Sequence, residues 1–132
     1  MPTLEYFVVA ESVSRDQETN LVSVFHILEE FSTKLPGVIP KFVAVSCWNV
    51  APEDRDVDFQ VTLRVPQTSA EGDLKCREFP INFTTDRMRH RVFHHVKDFP
   101  VGKSGDIEFE ILLNGKRMAA HRLTIKNVDD GP

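Results

Sequence analysis

The sequence predicts an all-β protein, an antiparallel two-sheet sandwich of about eight strands with Greek-key, jelly-roll or immunoglobulin-like connections. Apolar and polar residues alternate with a period of two over residues 57–65 and 105–113, which is typical of strands with one buried face. Turn-forming residues recur at short intervals, and no stretch shows helical periodicity. At 132 residues, we expect residues 1–132 to form one domain that buries about two thirds of its unfolded surface.

The first two strands are predicted to form a hairpin. Residues 4–12 are rich in β-forming side chains on both parities, so we expect both faces of this strand to be covered. The wholly polar residues 14–20 then turn the chain into a second strand at residues 21–29.

Residues 31–40 are predicted to form an apolar loop. Pro36 and Pro40 lie within five residues of each other, which argues against a central strand or a helix. A β pattern returns at residues 41–50 and is followed by an acidic turn at residues 51–56.

The clearest alternation, at residues 57–65, predicts the next strand. Residues 66–73 are predicted to be a loop, and residues 74–83 a bent or edge strand because they contain Pro80. Residues 84–97 combine a β pattern with basic side chains and histidines, and residues 99–104 are predicted to lead into the final hairpin.

The final hairpin, residues 105–127, turns at Asn114-Gly115. A simple two-residue loop would place Leu123 on the face opposite to the apolar row of the first strand. We therefore expect a three-residue loop with Gly115 as the αL residue of a bulge, in preference to a bulge at Ala119-Ala120. This register puts His121 on the inward side.

Composition and charge limit the possible partners. Ten Phe against one Trp and one Tyr predict a Phe-rich core. The net charge of −4 and the pI near 5.7 make nucleic acid an unlikely partner, because binding of that kind depends on phosphate neutralisation. The sequence favours a protein partner and leaves a small-molecule partner open.

The first residues carry no basic segment followed by a long apolar run, so we expect no membrane association and a cytoplasmic location. Cys47 and Cys76 are widely separated, and in a reducing compartment both are expected to be thiols.

Three segments resemble a known family: EYFVVAESVSRDQETNLVSVFHILEEF at the start, PKFVAV in the middle and GDIEFEILLNGKRMAAHRLTI at the end. Together they are similar to a family of small uncharacterised bacterial proteins in which one β-sandwich domain makes up the whole chain. The resemblance implies the same fold here. It implies no functional residues, because none is established for that family.

Four histidines are candidates for a metal site. His90 and His94 share a strand face, His95 points to the other face, and His121 could approach His94 across the sandwich. The HxH pair of a cupin-like metal site is missing, and a histidine pair at a strand edge explains the same residues. We therefore predict no metal ligand and no cofactor.

The sequence also supports no catalytic residue. Cys47 lies in a β pattern beside Trp48 and is expected to be a small core residue, and no nucleophile elbow or glycine-rich phosphate loop is present. The competing hypothesis is a jelly-roll enzyme, or a protein that binds metal, sugar or another small ligand through His90, His94, His95 and His121.

Loop residues are expected to gather at the two ends of the sandwich. Acidic loops would meet at one end, where they could bind calcium, but no calcium-loop spacing is present and a solvated set of turns is preferred; these residues are Asp16, Glu18, Glu53, Asp54, Asp56 and Asp86. An apolar, proline-containing set would meet at the other end; it comprises Leu35, Pro36, Val38, Ile39, Pro40, Phe99, Pro100 and Val101.

The apolar end has two interpretations that the sequence does not separate. It is either an interface for a partner or a plug that closes the core. The basic strip formed by Arg87, Arg89, Arg91 and Lys97 is expected to be a charged strand edge that blocks aggregation rather than a nucleic-acid groove.

The sequence thus predicts a non-catalytic binding or assembly module. It would use the apolar end or an exposed sheet edge to bind another protein or a second copy of itself.

Overall fold

The computed structural model describes residues 1–68 and 74–128. Their regular structure consists of nine strands and a short 3₁₀ turn at Pro52–Asp54, which confirms the all-β prediction. The strands are β1 Thr3–Arg15, β2 Val22–Ile27, β3 Glu30–Thr33, β4 Gly37–Asn49, β5 Phe59–Thr68, β6 Leu74–Phe83, β7 Arg89–Val101, β8 Gly105–Leu113 and β9 Lys116–Asn127.

The strands form two sheets. The four-stranded sheet has the order β2-β1-β4-β7, and the five-stranded sheet has the order β3-β9-β8-β5-β6. The chain crosses between sheets at residues 28–29, where the Leu28 N–H donates to the Val9 carbonyl and the Glu29 carbonyl accepts from Thr124. β3 runs parallel to β9, so the expectation of purely antiparallel sheets is wrong at this one edge.

Both sheets contribute side chains to one core. The Phe42 ring of β4 meets the Phe109 ring of β8 edge-on, with 5.1 Å between centroids, and also contacts Phe99 of β7 at 5.9 Å. The expected Phe-rich core is therefore present. The finer arrangement as a sandwich with a particular connection pattern stays a prediction.

Residues 31–40 are not one loop, and this is why nine strands form instead of about eight. They contain β3 and the first residues of β4, which lies between β1 and β7. Pro40 is tolerated in β4 because pairing with β1 reaches only as far as Val43, so one side of β4 needs no N–H donor at this position. Likewise, residues 99–101 belong to β7 and not to a loop.

The strand predicted over residues 57–65 begins two residues later, at Phe59. Its inward row of Phe59, Val61, Leu63 and Val65 is buried as expected, whereas Val57 precedes the strand and is exposed. β6 lies at the edge of its sheet, as predicted from Pro80. Within the loop predicted at residues 66–73, β5 continues to Thr68, and residues 69–73 lie outside the described residues.

The final hairpin has a tight two-residue loop, so the predicted three-residue loop is wrong. Leu113 pairs with Lys116 across Asn114-Gly115, and both loop residues have positive φ angles of 49° and 85°. A register shift follows immediately: Leu112 pairs with Arg117, but Ile111 pairs with Ala119. This bulge returns the apolar residues of both strands to one face, and His121 lies on the inward side opposite Phe109.

We expect the substitution Gly115→Ala to lower the free energy of unfolding by about 1–2 kcal/mol, because an L side chain at a positive φ is strained. No atom within 4 Å would meet the added methyl group, so the cost is conformational rather than steric. Chemical denaturation of Gly115→Ala and Gly115→Asn measures the effect. Asn tolerates this region better, so equal losses in the two variants would contradict the explanation.

The β1–β2 hairpin extends beyond its own sheet as an arm, residues 11–24. β1 pairs with β4 only up to Ala10, and its remaining residues pair with β2 alone. The tip of the arm reaches β7, where Arg91 Nη2 donates to the Asn20 carbonyl at 2.9 Å. The arm therefore lies against the side of β4 and β7 that faces away from the core.

The arm accounts for buried residues on that outer side. Val43 and Val45 are buried although they alternate with core residues, and Ser12 and Val13 line a groove together with Val43 and His95. β1 itself is covered on both faces only in part, because Tyr6 stays exposed.

Candidate functional site

The structure brings the two predicted apolar segments together, because residues 37–39 of β4 pair with residues 99–101 of β7. Ile39, Phe99 and Val101 belong to the buried core, as the plug interpretation requires, and are not available to a partner. Val38 and Pro40 are exposed, Leu35 and Pro100 are partly buried, and Pro36 is exposed. An interface formed by these remaining residues stays a prediction.

An apolar cleft of about 270 Å³ adjoins this end. Leu28, Phe31, Ile39 and Pro40 line it, together with Glu11 and Lys41. Leu28 lies in the crossover between the sheets, Phe31 follows it in β3, and both pack partly against the core. The cleft is thus a shallow gap beside the crossover.

The four candidate histidines do not converge. His94 lies near the backbone of Val61 and Phe79, whereas His121 Nε2 is 2.6 Å from the Leu28 carbonyl on the crossover side. The His90 ring stacks on Phe83 at 4.4 Å, and His95 is exposed. Across residues 1–68 and 74–128, no three His, Cys, Asp or Glu side chains are grouped to hold a metal ion.

His94 is nevertheless unusual, because it is a polar side chain with only 2% of its surface exposed. Neither ring nitrogen makes a hydrogen bond of acceptable geometry to the described residues. Burial lowers the pKa of His94, and the nearby backbone of Val61 and Phe79 opposes that effect only in part. His94 is therefore neutral in the folded protein at neutral pH.

Cys47 is buried, as predicted, although it lies on the outer side of the four-stranded sheet. Its Sγ is 3.6 Å from Glu5 Oε2. Burial, and next the charge of Glu5, raise the pKa of the Cys47 thiol. A thiol in this environment is a poor nucleophile.

Two of the acidic loop residues, Asp16 and Asp54, form polar contacts within the protein. Asp16 Oδ1 accepts from the N–H groups of Glu18 and Thr19 at 2.8 and 3.1 Å, and these two bonds lower the pKa of Asp16. Asp54 Oδ2 is 2.6 Å from the amino group of Met1. The Asp16 bonds are those of an ordinary turn, whereas Asp54 forms an ion pair with the N-terminus; a solvated set of turns at this end stays a prediction.

Three members of the predicted basic strip line a cleft of about 300 Å³, and Arg15 of the arm faces them across it. Arg89 forms an ion pair with Glu5 at 2.7 Å, and Arg91 donates to the Asn20 carbonyl. Asn20, Thr85, His90 and Phe93 complete the lining. Arg15 is not among the residues predicted from the sequence, because no local pattern signals that the arm folds back onto β7. Lys97 of the predicted strip lies outside this cleft.

The free edge of β2 is the most apolar edge of either sheet. Phe25 and Ile27 are 47% and 49% exposed, and Leu21 just before the strand is also exposed. β2 pairs with β1 on one side only. Its sequence, VSVFHI, contains no proline, lysine, arginine or carboxylate.

No helix formed by the described residues has the length and apolar character needed to cross a lipid bilayer. Among curated proteins, no relative matches the sequence. The fold is similar to part of the alkylpurine DNA glycosylase AlkC of Pseudomonas fluorescens, whose structure was solved bound to DNA containing an abasic site analog. That likeness has a TM-score of 0.58 at 9% sequence identity and covers 95% of this chain but only 30% of the glycosylase chain.

At this identity the likeness concerns the fold alone. The model of a family of unknown function, DUF6941, matches residues 5–126. This range includes all nine strands except the ends of β1 and β9. The chain therefore belongs to the family of unknown function DUF6941.

Proposed function

We propose that this protein is a non-catalytic assembly module that pairs with a second copy of itself through the free edge of β2. One observation carries the proposal: β2 leaves one edge unpaired while Phe25 and Ile27 remain about half exposed. Unpaired backbone groups beside apolar side chains form a template for another strand.

The other sheet edges support this choice by contrast. β3 has only four residues, β6 carries Arg77, Glu78 and Pro80, and β7 carries several cations together with Pro100. Short length, charge and proline are the features by which natural proteins block edge pairing. Among the described edges, β2 has neither the charges nor the proline that protect β6 and β7.

The charge of β2 favours a second copy as the occupant. A two-fold interface brings the same patch of both subunits together, so any net charge on the patch would repel itself. β2 contains no Asp, Glu, Lys or Arg, and His26 is its one titratable residue. Two copies of β2 can therefore align without opposing like charges.

The non-catalytic part of the proposal rests on Cys47 and the histidines. Burial, and next the neighbouring carboxylate of Glu5, raise the pKa of the Cys47 thiol, so this environment does not activate it as a nucleophile. His94 lies near the backbone of Val61 and Phe79, whereas His121 contacts the Leu28 carbonyl, so these two candidate histidines do not share a site.

Light scattering on purified protein tests the proposal. We expect the wild type to have twice the 15.1 kDa chain mass. Phe25→Lys should be monomeric, because the two introduced lysines would face and repel each other across the two-fold axis. Val57→Lys is the matched control, since Val57 is 44% exposed but precedes β5. A wild type that is monomeric at all concentrations, or a Phe25→Lys dimer, would contradict pairing through β2.

Photo-crosslinking from position 25 in cells distinguishes a second copy from another protein as the occupant. The expected product is a covalent dimer of this chain, with position 57 giving none. A covalent product with a different protein would contradict pairing with a second copy and would show that β2 binds another protein.

A further inference from the structure

The cleft between the arm and β7 contains more positive charge than the protein neutralises. Four guanidinium groups line it, and none of its lining residues is acidic. Glu5 neutralises Arg89, and Arg91 has a neutral backbone partner. Arg15 and Arg87 form no ion pair with any described residue, so three of the four cations lack a counter-charge.

Cations gathered in one cleft repel each other unless an anion joins them. The neutral lining groups are also suited to an anion, because the Asn20 amide can donate a hydrogen bond. The Thr85 hydroxyl accepts from the Arg87 N–H at 3.1 Å, which leaves its own proton free to donate. The cleft of about 300 Å³ is at the small end of the range for ligand sites.

We propose that this cleft is a binding site for a small molecule that carries a phosphate group. Arg15 comes from the arm, whereas Arg87 and Arg91 flank the start of β7, so the donors approach the cleft from two chain segments. A phosphate presents oxygens on several sides and can accept from both segments at once, whereas a planar carboxylate presents one edge. The bound phosphate would link the arm to the sheet.

A nucleic acid fits the site less well than a small ligand. The cations are confined to one cleft of a chain with net charge −4, whereas a nucleic-acid groove follows the backbone over several nucleotides. One face of the His90 ring is already stacked on Phe83, so only its other face and the Phe93 ring could stack on bases, fewer platforms than a groove for several nucleotides provides. The site is also separate from the free edge of β2, and its test is independent of the assembly proposal.

Titration with sodium pyrophosphate at constant ionic strength, followed by amide chemical shifts, tests the site. We expect saturable changes confined to residues around the cleft, and at least a tenfold higher Kd for the double variant Arg15→Gln/Arg87→Gln, because two charged donors are removed. The matched control is Lys103→Gln/Lys116→Gln, which removes the same charge from two exposed positions outside the cleft, one in the loop before β8 and one at the start of β9. Its Kd should stay within about twofold of the wild type.

A second readout tests the link between arm and sheet. Pyrophosphate should slow amide hydrogen exchange at residues 15–21 of the wild type and leave exchange unchanged in Arg15→Gln/Arg87→Gln. Because both substituted side chains are on the surface, circular dichroism should confirm that the variant is folded. Arg87→Lys, which keeps the charge but loses the planar fork, should bind several-fold more weakly than the wild type.

Several outcomes would overturn the proposal. These are the absence of saturable shifts, an equal loss of affinity in the lysine control, or citrate binding as tight as pyrophosphate. Tight binding of a single-stranded oligonucleotide lacking a terminal phosphate, with an affinity insensitive to the arginine substitutions, would identify a different, nucleic-acid surface.

Discussion

Replacing Phe42 with Ala is expected to lower the free energy of unfolding by about 3–5 kcal/mol. Phe42 is 2% exposed, and its ring contacts both Phe109 of the five-stranded sheet and Phe99 of β7. The substitution would therefore remove the transfer energy of a ring and open a cavity where the two sheets meet. Urea denaturation measures the effect.

Phe25→Ala is the matched control for Phe42→Ala. It removes the same atoms from a side chain that is 47% exposed, so its effect on the monomer should stay within about 0.5 kcal/mol. The comparison should be made at a concentration where the protein is monomeric, because Phe25 lies in the proposed interface. A loss below about 1 kcal/mol for Phe42→Ala would contradict a core shared by the two sheets.

Replacing His94 with Leu is expected to raise the free energy of unfolding at neutral pH by about 1 kcal/mol. The imidazole is buried, and neither nitrogen makes a hydrogen bond of acceptable geometry to the described residues, so the nearby backbone of Val61 and Phe79 compensates only in part for the lost hydration of this polar group. Leu has a similar volume and no polar atom. Denaturant unfolding of both proteins at pH 7.5 measures the difference.

The same residue should make stability depend on pH. Burial lowers the pKa of His94 from its usual value of 6.5 in the folded state, so the unfolded chain takes up this proton first as the pH falls. The stability contribution of neutral His94 is complete above about pH 6.5 and is lost as the pH falls towards the folded pKa. Unfolding measured from pH 7.5 to 5 should therefore decline more steeply for the wild type than for His94→Leu.

Two other histidines of β7, His90 and His95, serve to test whether the pH dependence of stability comes from His94. The pKa of His90 is also lowered by burial, so His94→Leu should retain a smaller decline. His95 is exposed, and its charge is the smallest of the causes that lower the pKa of His94, so His95→Gln should keep most of the decline of the wild type. Parallel curves for the wild type and His94→Leu would show that His94 does not control the effect.

Local patterns predicted the strands well where one face is buried. The alternation at residues 57–65 and 105–113 placed β5 and β8, because burial of every second side chain leaves a direct mark on the sequence. The Asn114-Gly115 turn was equally clear, since few residue pairs tolerate two successive positive φ angles. The position of the bulge could not be predicted from the sequence, because bulges at several positions would return the apolar residues to the same face.

The prolines predicted the ends of strands less reliably than expected. Pro40 did not end β4, since whether a missing N–H matters depends on which side of the strand is paired at that position. The segment around Ile39 and Phe99 was therefore interpreted as two loops, although its residues form paired strands with core side chains. Three of the eight residues predicted for the apolar surface, Ile39, Phe99 and Val101, are therefore buried in the core.

The sequence by itself determined the all-β class, most strand positions, the Phe-rich core and the basic strip, because each of these depends on neighbouring residues along one strand. Only the tertiary structure decided that the arm folds back onto β7 and places Arg15 and Arg87 in the lining of one cleft, since these residues are 72 positions apart in the sequence (87 − 15). It also decided which edges stay unpaired, and thus that β2 is open. Contacts of this kind depend on where the sheet twists and how the chain crosses between layers, and neither leaves a local pattern in the sequence.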